Sequence, residues 1–146
     1  MKTYIATSLA RVADQQDLAF RLRVEFDIDL TFDWTREGTL AGNPHPEVAQ
    51  KELQGVKDAD FVCCLLPAKL GTHVELGIAL AMGKRVFLFA ANEAALYCGN
   101  DYKCVFYEHP LVTTVLSTDM TDLIKEIAIW LRDRHELENF IIPLGA

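Results

Sequence analysis

Hydrophobic positions along this chain alternate between two periods. Thr3–Thr7 is a short apolar run that reads as a strand, and Ala13–Glu25 follows with Leu18, Leu22 and Phe26 at helical spacing. Ile28–Phe32 is a second strand candidate. Thr35–Pro46, with two Gly and two Pro, reads as a loop. Pro46–Lys57 is helical in pattern, with Val48, Leu53 and Val56 expected inward. Asp60–Leu66 is almost wholly apolar, as expected of a strand buried on both faces of a parallel sheet. Leu70–Met82 predicts a helix that stops at Gly83. Arg85–Ala90 predicts the fourth strand. Asn92–Tyr102 reads as a loop or short helix, and Lys103–Tyr107 and Val112–Leu116 as further strands. Met120–His135 is amphipathic, with Leu123, Ile127, Trp130 and Leu131 on one side. The tail Phe140–Leu144 is apolar and is expected to pack on its own domain or on a second subunit.

Strand alternating with helix in this way predicts one domain over residues 1–146, a doubly wound α/β sandwich of three layers. A mostly parallel five-stranded sheet in flavodoxin-like order is expected. Such folds bind ligands beyond the carboxyl ends of their strands, near the point where strand order reverses. The segments placed there are Thr7-Ser8-Leu9 and Pro67 to Glu75, with Asp33-Trp34 and Ala91-Asn92-Glu93 on the same rim.

Composition narrows the partners. The 146 residues are 51% hydrophobic and 24% charged, a globular balance, with a formal charge of −7. That charge argues against a duplex-binding surface, because phosphate backbones reward clustered Lys and Arg. A small anionic ligand stays open, since one cation or a helix N-terminus can hold a phosphate. Cys63, Cys64, Cys98 and Cys104 include no Cys-x-x-Cys pair and read as reduced, structural thiols of a cytoplasmic protein. The first residues lead directly into a strand, so no signal peptide is expected. No apolar run nears the roughly 18 residues that cross a bilayer. His45, His109 and His135 lack metal-ligand spacing, and no Gly-x-Gly-x-x-Gly or phosphate-loop sequence is present. Neither a metal nor another cofactor is expected.

The densest chemistry lies in Gly71-Thr72-His73-Val74-Glu75-Leu76-Gly77. Thr72-x-x-Glu75 has the spacing of a capping box, in which Thr caps the helix and Glu returns the bond. The other reading takes Glu75 as a nucleophile at the carboxyl edge of the sheet. Gly71 and Gly77 would then allow close approach, and the helix dipole would favour an ionised carboxylate able to attack an anomeric carbon. His73, beside it in sequence, points elsewhere on a helix and reads as structural.

Gly71–Gly77 followed by Ala79-x-Ala81-x-Gly83-Lys84 resembles the nucleoside 2-deoxyribosyltransferase family, which includes the deoxynucleoside 5'-monophosphate N-glycosidases. Tyr4-Ile5-Ala6-Thr7-Ser8-Leu9, Asp33-Trp34-Thr35 and Leu53-Gln54-Gly55-Val56-Lys57-Asp58-Ala59-Asp60 are similar too. The resemblance covers most of residues 3–90 and fades beyond them. It implies a retaining mechanism in which Glu75 attacks C1' of the sugar, the base leaves, and a second base or water takes the sugar. Tyr4 matches a strand tyrosine near the nucleophile. Glu52 stands where the family generally carries an Asp that assists the leaving base. Lys69, six residues before Glu75, departs from the family pattern, and its cation suits a 5'-phosphate. Ser8 and Gly71 would meet the sugar or phosphate, and Asp33 and Trp34 the base. A deoxy sugar is implied, as is a homodimer or larger assembly, with no nucleic-acid or membrane partner. Two other functions stay open at this level: a nucleotide-binding module without turnover, and hydrolysis of the nicotinamide–ribose bond of NAD.

Overall fold

A computed structural model of the chain describes residues 1–37 and 45–141, with side chains through residue 138. Most of the Gly/Pro-rich loop lies outside the described residues, as do the side chains and end of the apolar tail Phe140–Leu144.

The strands are β1 (Lys2–Ala6), β2 (Asp29–Leu30), β3 (Phe61–Leu65), β4 (Arg85–Ala90) and β5 (Val112–Leu116). They form one sheet in the order β2-β1-β3-β4-β5, and every pairing is parallel. The helices are α1 (Val12–Phe26), α2 (Pro46–Asp58), α3 (Leu70–Ala81) and α4 (Met120–Ile141). Order reverses between β1 and β3, so the crevice at their carboxyl ends is the expected place for a ligand. Among the described residues, no helix is long and apolar enough to cross a membrane.

The alternation of side chains along each strand divides the core in two. Tyr4, Ala6, Val62, Cys64, Val86 and Leu88 face α2 and α3, with Val56, Leu76 and Ala79 against them. Ile5, Phe61, Cys63, Leu65, Phe87 and Phe89 face α1 and α4, against Leu18, Leu22, Leu123 and Ile127. β3 is buried along its whole length. Cys63 and Cys64 lie within it as small hydrophobes, and burial pushes the Cys63 thiol up to about 12. All four cysteines are free.

Several elements differ from the sequence expectation. β2 keeps only two residues of its apolar run, because β1 offers register partners only at Lys2 and Thr3. Lys103–Tyr107 is not a strand. Tyr107 N–H closes a 3-10 turn over Val105–Glu108 by donating to Cys104 O at 3.1 Å, and β5 occupies the edge beside β4. Val105 and Phe106 face solvent in consequence. Leu53 is not inward but exposed. α4 continues past His135 to Ile141.

α3 ends as its glycine requires. Gly83 adopts φ +70°, its N–H reaches Leu80 O at 3.0 Å, and Lys84 N–H reaches Ala79 O at 2.9 Å. Its start differs from a capping box. Lys69 holds the N-cap position without a side-chain bond, and Thr72 is buried inside the first turn. Glu75 is therefore free to turn inward.

Candidate active site

α3 leaves the carboxyl end of β3 and crosses above β1, which carries Tyr4 toward it. Tyr4 is fully buried, and its hydroxyl donates to Glu75 Oε1 at 2.6 Å. α2 can come down on the same tyrosine because it carries Gly55. A Cβ there would lie 2.9 Å from Phe32 Cβ and 2.9 Å from Tyr4 Cδ2. This close approach brings Glu52, one turn earlier on α2, into electrostatic reach of both Tyr4 and Glu75. Three residues assigned to catalysis from the sequence thus converge from β1, α2 and α3.

Their environment changes the expected charge state. Burial raises the Glu75 carboxyl to about 8, the Tyr4 hydrogen bond opposes that rise, and the Glu52 charge adds to it. The helix dipole expected to keep Glu75 ionised does not reach it, because Glu75 lies beyond the first turn of α3, and desolvation sets the direction. Burial also raises Glu52. Tyr4 is pushed well above the ordinary phenol range, first by burial and then by Glu75, so it stays a hydrogen-bond donor. Burial thus favours the protonated form of both carboxyls, and the charge on Glu52 adds to the rise at Glu75, so the two titrate as a coupled pair.

The remaining sequence candidates surround this centre in different ways. Ser8 caps the 3-10 turn Leu9–Arg11 with its carbonyl, which accepts from Arg11 N–H at 2.9 Å, while its hydroxyl makes no cap bond. Lys69 is exposed at the start of α3, and among the described residues its ammonium pairs with no carboxylate. Gly71 is exposed in the first turn, with open space where a Cβ would stand. Asp33 is held by its own turn. Its Oδ1 accepts from Thr35 N–H at 3.1 Å and Thr35 Oγ1 at 2.5 Å, and its Oδ2 pairs with Arg36 Nε at 3.1 Å. Trp34 is buried, and its indole N–H donates to Ile5 O at 3.0 Å. Both residues hold the β1–β2 side of the rim together.

Sequence reasoning misses Arg11. Its guanidinium donates to Leu66 O just beyond β3, binds Asp14 Oδ2 at 2.9 Å, and lies 5.9 Å from the Phe89 ring centroid at the end of β4. A cation is thereby fixed across the strand ends beside Ser8. The readable signal is an Arg three residues after Ser8, in the turn that follows the first strand.

No protein-family model matches this chain, and no curated protein matches it. Among solved structures, the chain is similar to a CMP N-glycosidase from Clostridium botulinum. The match has a TM-score of 0.58 and 17% sequence identity, and covers 88% of this chain and 99% of that one. At this identity the likeness establishes the shared fold.

Proposed function

We propose that this protein cleaves the N-glycosidic bond of a nucleoside 5'-monophosphate, through a covalent ester between the sugar and Glu75. The observation that carries the proposal is the 2.6 Å bond from Tyr4 to Glu75, with Glu52 in electrostatic reach of the same carboxyl. Tyr4 orients one carboxylate oxygen and leaves the other free to attack. As the Glu75 oxygen bonds to C1', the C1'–N bond breaks and Glu52 gives its proton to the departing base. Water or a second base then attacks C1', and its proton returns to Glu52 as the ester opens. A deoxy sugar suits this chemistry, because the absent 2'-hydroxyl eases the approach to an oxocarbenium-like state.

Two features support a monophosphate over a free nucleoside. Arg11 donates to Leu66 O just beyond β3, and Lys69 begins α3 after the same strand, so both cations lie near the carboxyl end of β3. The similarly folded Clostridium protein is named for action on CMP, itself a monophosphate.

The test is release of free base from a panel of nucleosides, deoxynucleosides and their 5'-monophosphates, with and without an acceptor base. Wild type should release base from monophosphates, and Glu75→Ala should not. Acceptor-dependent turnover would identify a transferase, and acceptor-independent turnover a hydrolase. A folded wild type that binds a nucleotide yet releases no base from any substrate would move the protein to the class of nucleotide-binding modules.

A further inference from the structure

α3 carries the reactive carboxylate but starts without a side-chain cap. First-turn N–H groups normally need such a partner. The connection between β4 and β5 fastens this end of the helix instead. Tyr107, buried in its 3-10 turn, places its hydroxyl 2.6 Å from His73 Nε2, and the two rings stack at 5.8 Å. His73 Nδ1 lies 2.8 Å from Lys69 O. That carbonyl can only accept, so Nδ1 carries the hydrogen, and in the neutral ring Nε2 accepts from Tyr107. Next to this pair, Ala68 N–H points at Cys98 Sγ at 3.5 Å, and that sulfur lies 3.8 Å from the Tyr107 hydroxyl. Tyr107 and Cys98 therefore grip the residues just before and just within the first turn.

We propose that Tyr107 and His73 are positioning residues, which fix the first turn of α3 and with it the place of the Glu75 carboxylate. This rests on the reading of Glu75 as nucleophile. His73 and Glu75 stand two residues apart on one rigid helix, so a shift of the first turn is carried to the carboxylate. A misplacement of about 1 Å costs on the order of a hundredfold in reactions that depend on a near-attack geometry. The ionisable groups acting on Glu75 are Tyr4 from β1 and Glu52 from α2, and Glu75 in turn raises the buried Cys64 thiol of β3. The β4–β5 connection supplies none of them, so its effect on Glu75 passes through the position of α3.

The test uses Tyr107→Phe, which keeps the ring and removes the hydroxyl, together with His73→Gln, which keeps an acceptor, and His73→Leu, which does not. Two readouts are needed: the pH dependence of kcat on a cleaved monophosphate, and the carboxyl carbon-13 NMR titration of Glu75, assigned with Glu75→Gln. A loosened helix start admits water to Glu75, so its titration should move to lower pH in Tyr107→Phe and His73→Leu and stay in place in His73→Gln. The first two should lose about tenfold in kcat with KM nearly unchanged. A Glu75 titration in Tyr107→Phe that coincides with wild type would overturn the proposal, as would identical behaviour of the two His73 variants. The NMR readout does not need turnover. A shifted titration in a protein that cleaves no nucleotide would uphold the positioning role and remove the N-glycosidase reading.

Discussion

Tyr4 and Glu75, 71 residues apart in sequence, meet through a 2.6 Å hydrogen bond in which the buried phenol always donates. That bond is the force that lowers the Glu75 carboxyl against burial. Removing it in Tyr4→Phe should raise the Glu75 titration above its value of about 8 and move the acid limb of kcat/KM to higher pH. At pH 7 the rate should fall about tenfold or more, since the ionised fraction drops roughly tenfold for every pH unit by which the titration moves up. A pH–rate profile of the variant checks both the direction and the size.

The raised carboxyl also makes the fold pH-sensitive. Folded Glu75 holds its proton up to about pH 8, whereas an unfolded Glu releases it near its ordinary value of 4.5. The contribution to stability is thus fully present below about pH 4.5 and is lost as pH rises through 8. Glu75→Gln removes this loss. Its melting temperature relative to wild type should climb steadily from pH 5 to pH 9, by an amount equivalent to about 1–3 kcal/mol. Thermal melts of the two proteins at several pH values provide the check, and a constant offset would contradict it.

Glu52 is the residue placed to protonate the leaving base. Glu52→Gln should lower kcat by roughly 10²–10⁴ for ordinary bases. A substrate whose base departs without protonation, such as an N7-methylated purine nucleotide, should be cleaved at nearly the wild-type rate. The same substitution removes a charge that raises Glu75, so the acid limb should move to lower pH.

Gly55 sets the separation of α2 from Tyr4. Gly55→Ala places a methyl 2.9 Å from Phe32 Cβ and Tyr4 Cδ2, and neither atom is the free end of a flexible chain. The cost should be about 1–3 kcal/mol of stability, as for other overpacked sites. Activity should drop with it, because the displaced ring is the one that holds Glu75. Chemical denaturation alongside base-release assays measures both. Gly71→Ala, with open space at its Cβ, should leave stability almost unchanged.

Much of this arrangement is legible in the chain. The apolar runs of β1, β3 and β4 mark a sheet buried on both faces, and Gly83 marks the end of α3. Tyr4, Glu52 and Glu75 each stand out in the sequence, and the structure brings them together. What escapes the sequence depends on tertiary packing. Val105 and Phe106 have strand propensity, yet β5 holds the edge beside β4 and they turn outward. The Thr72–Glu75 spacing fits a capping box, yet the buried phenol draws Glu75 away from the helix start. The sequence argues for a Glu75 kept ionised by the helix dipole, yet Glu75 lies beyond the first turn of α3 and its burial raises the carboxyl. Gly55 carries no local signal of its role, because what it meets lies on β1 and at Phe32, and Arg11 is marked only by its place three residues after Ser8 while its partners lie at the ends of β3 and β4.

The most direct test of the central claim is mass spectrometry of the protein after incubation with a 2'-fluoro-arabinosyl nucleoside monophosphate, whose fluorine slows breakdown of a sugar ester. The account predicts a stoichiometric mass increase equal to the fluorosugar phosphate, located on the peptide containing Glu75 and absent in Glu75→Gln. Base release without any adduct, or an adduct on another residue, would contradict a covalent mechanism at Glu75.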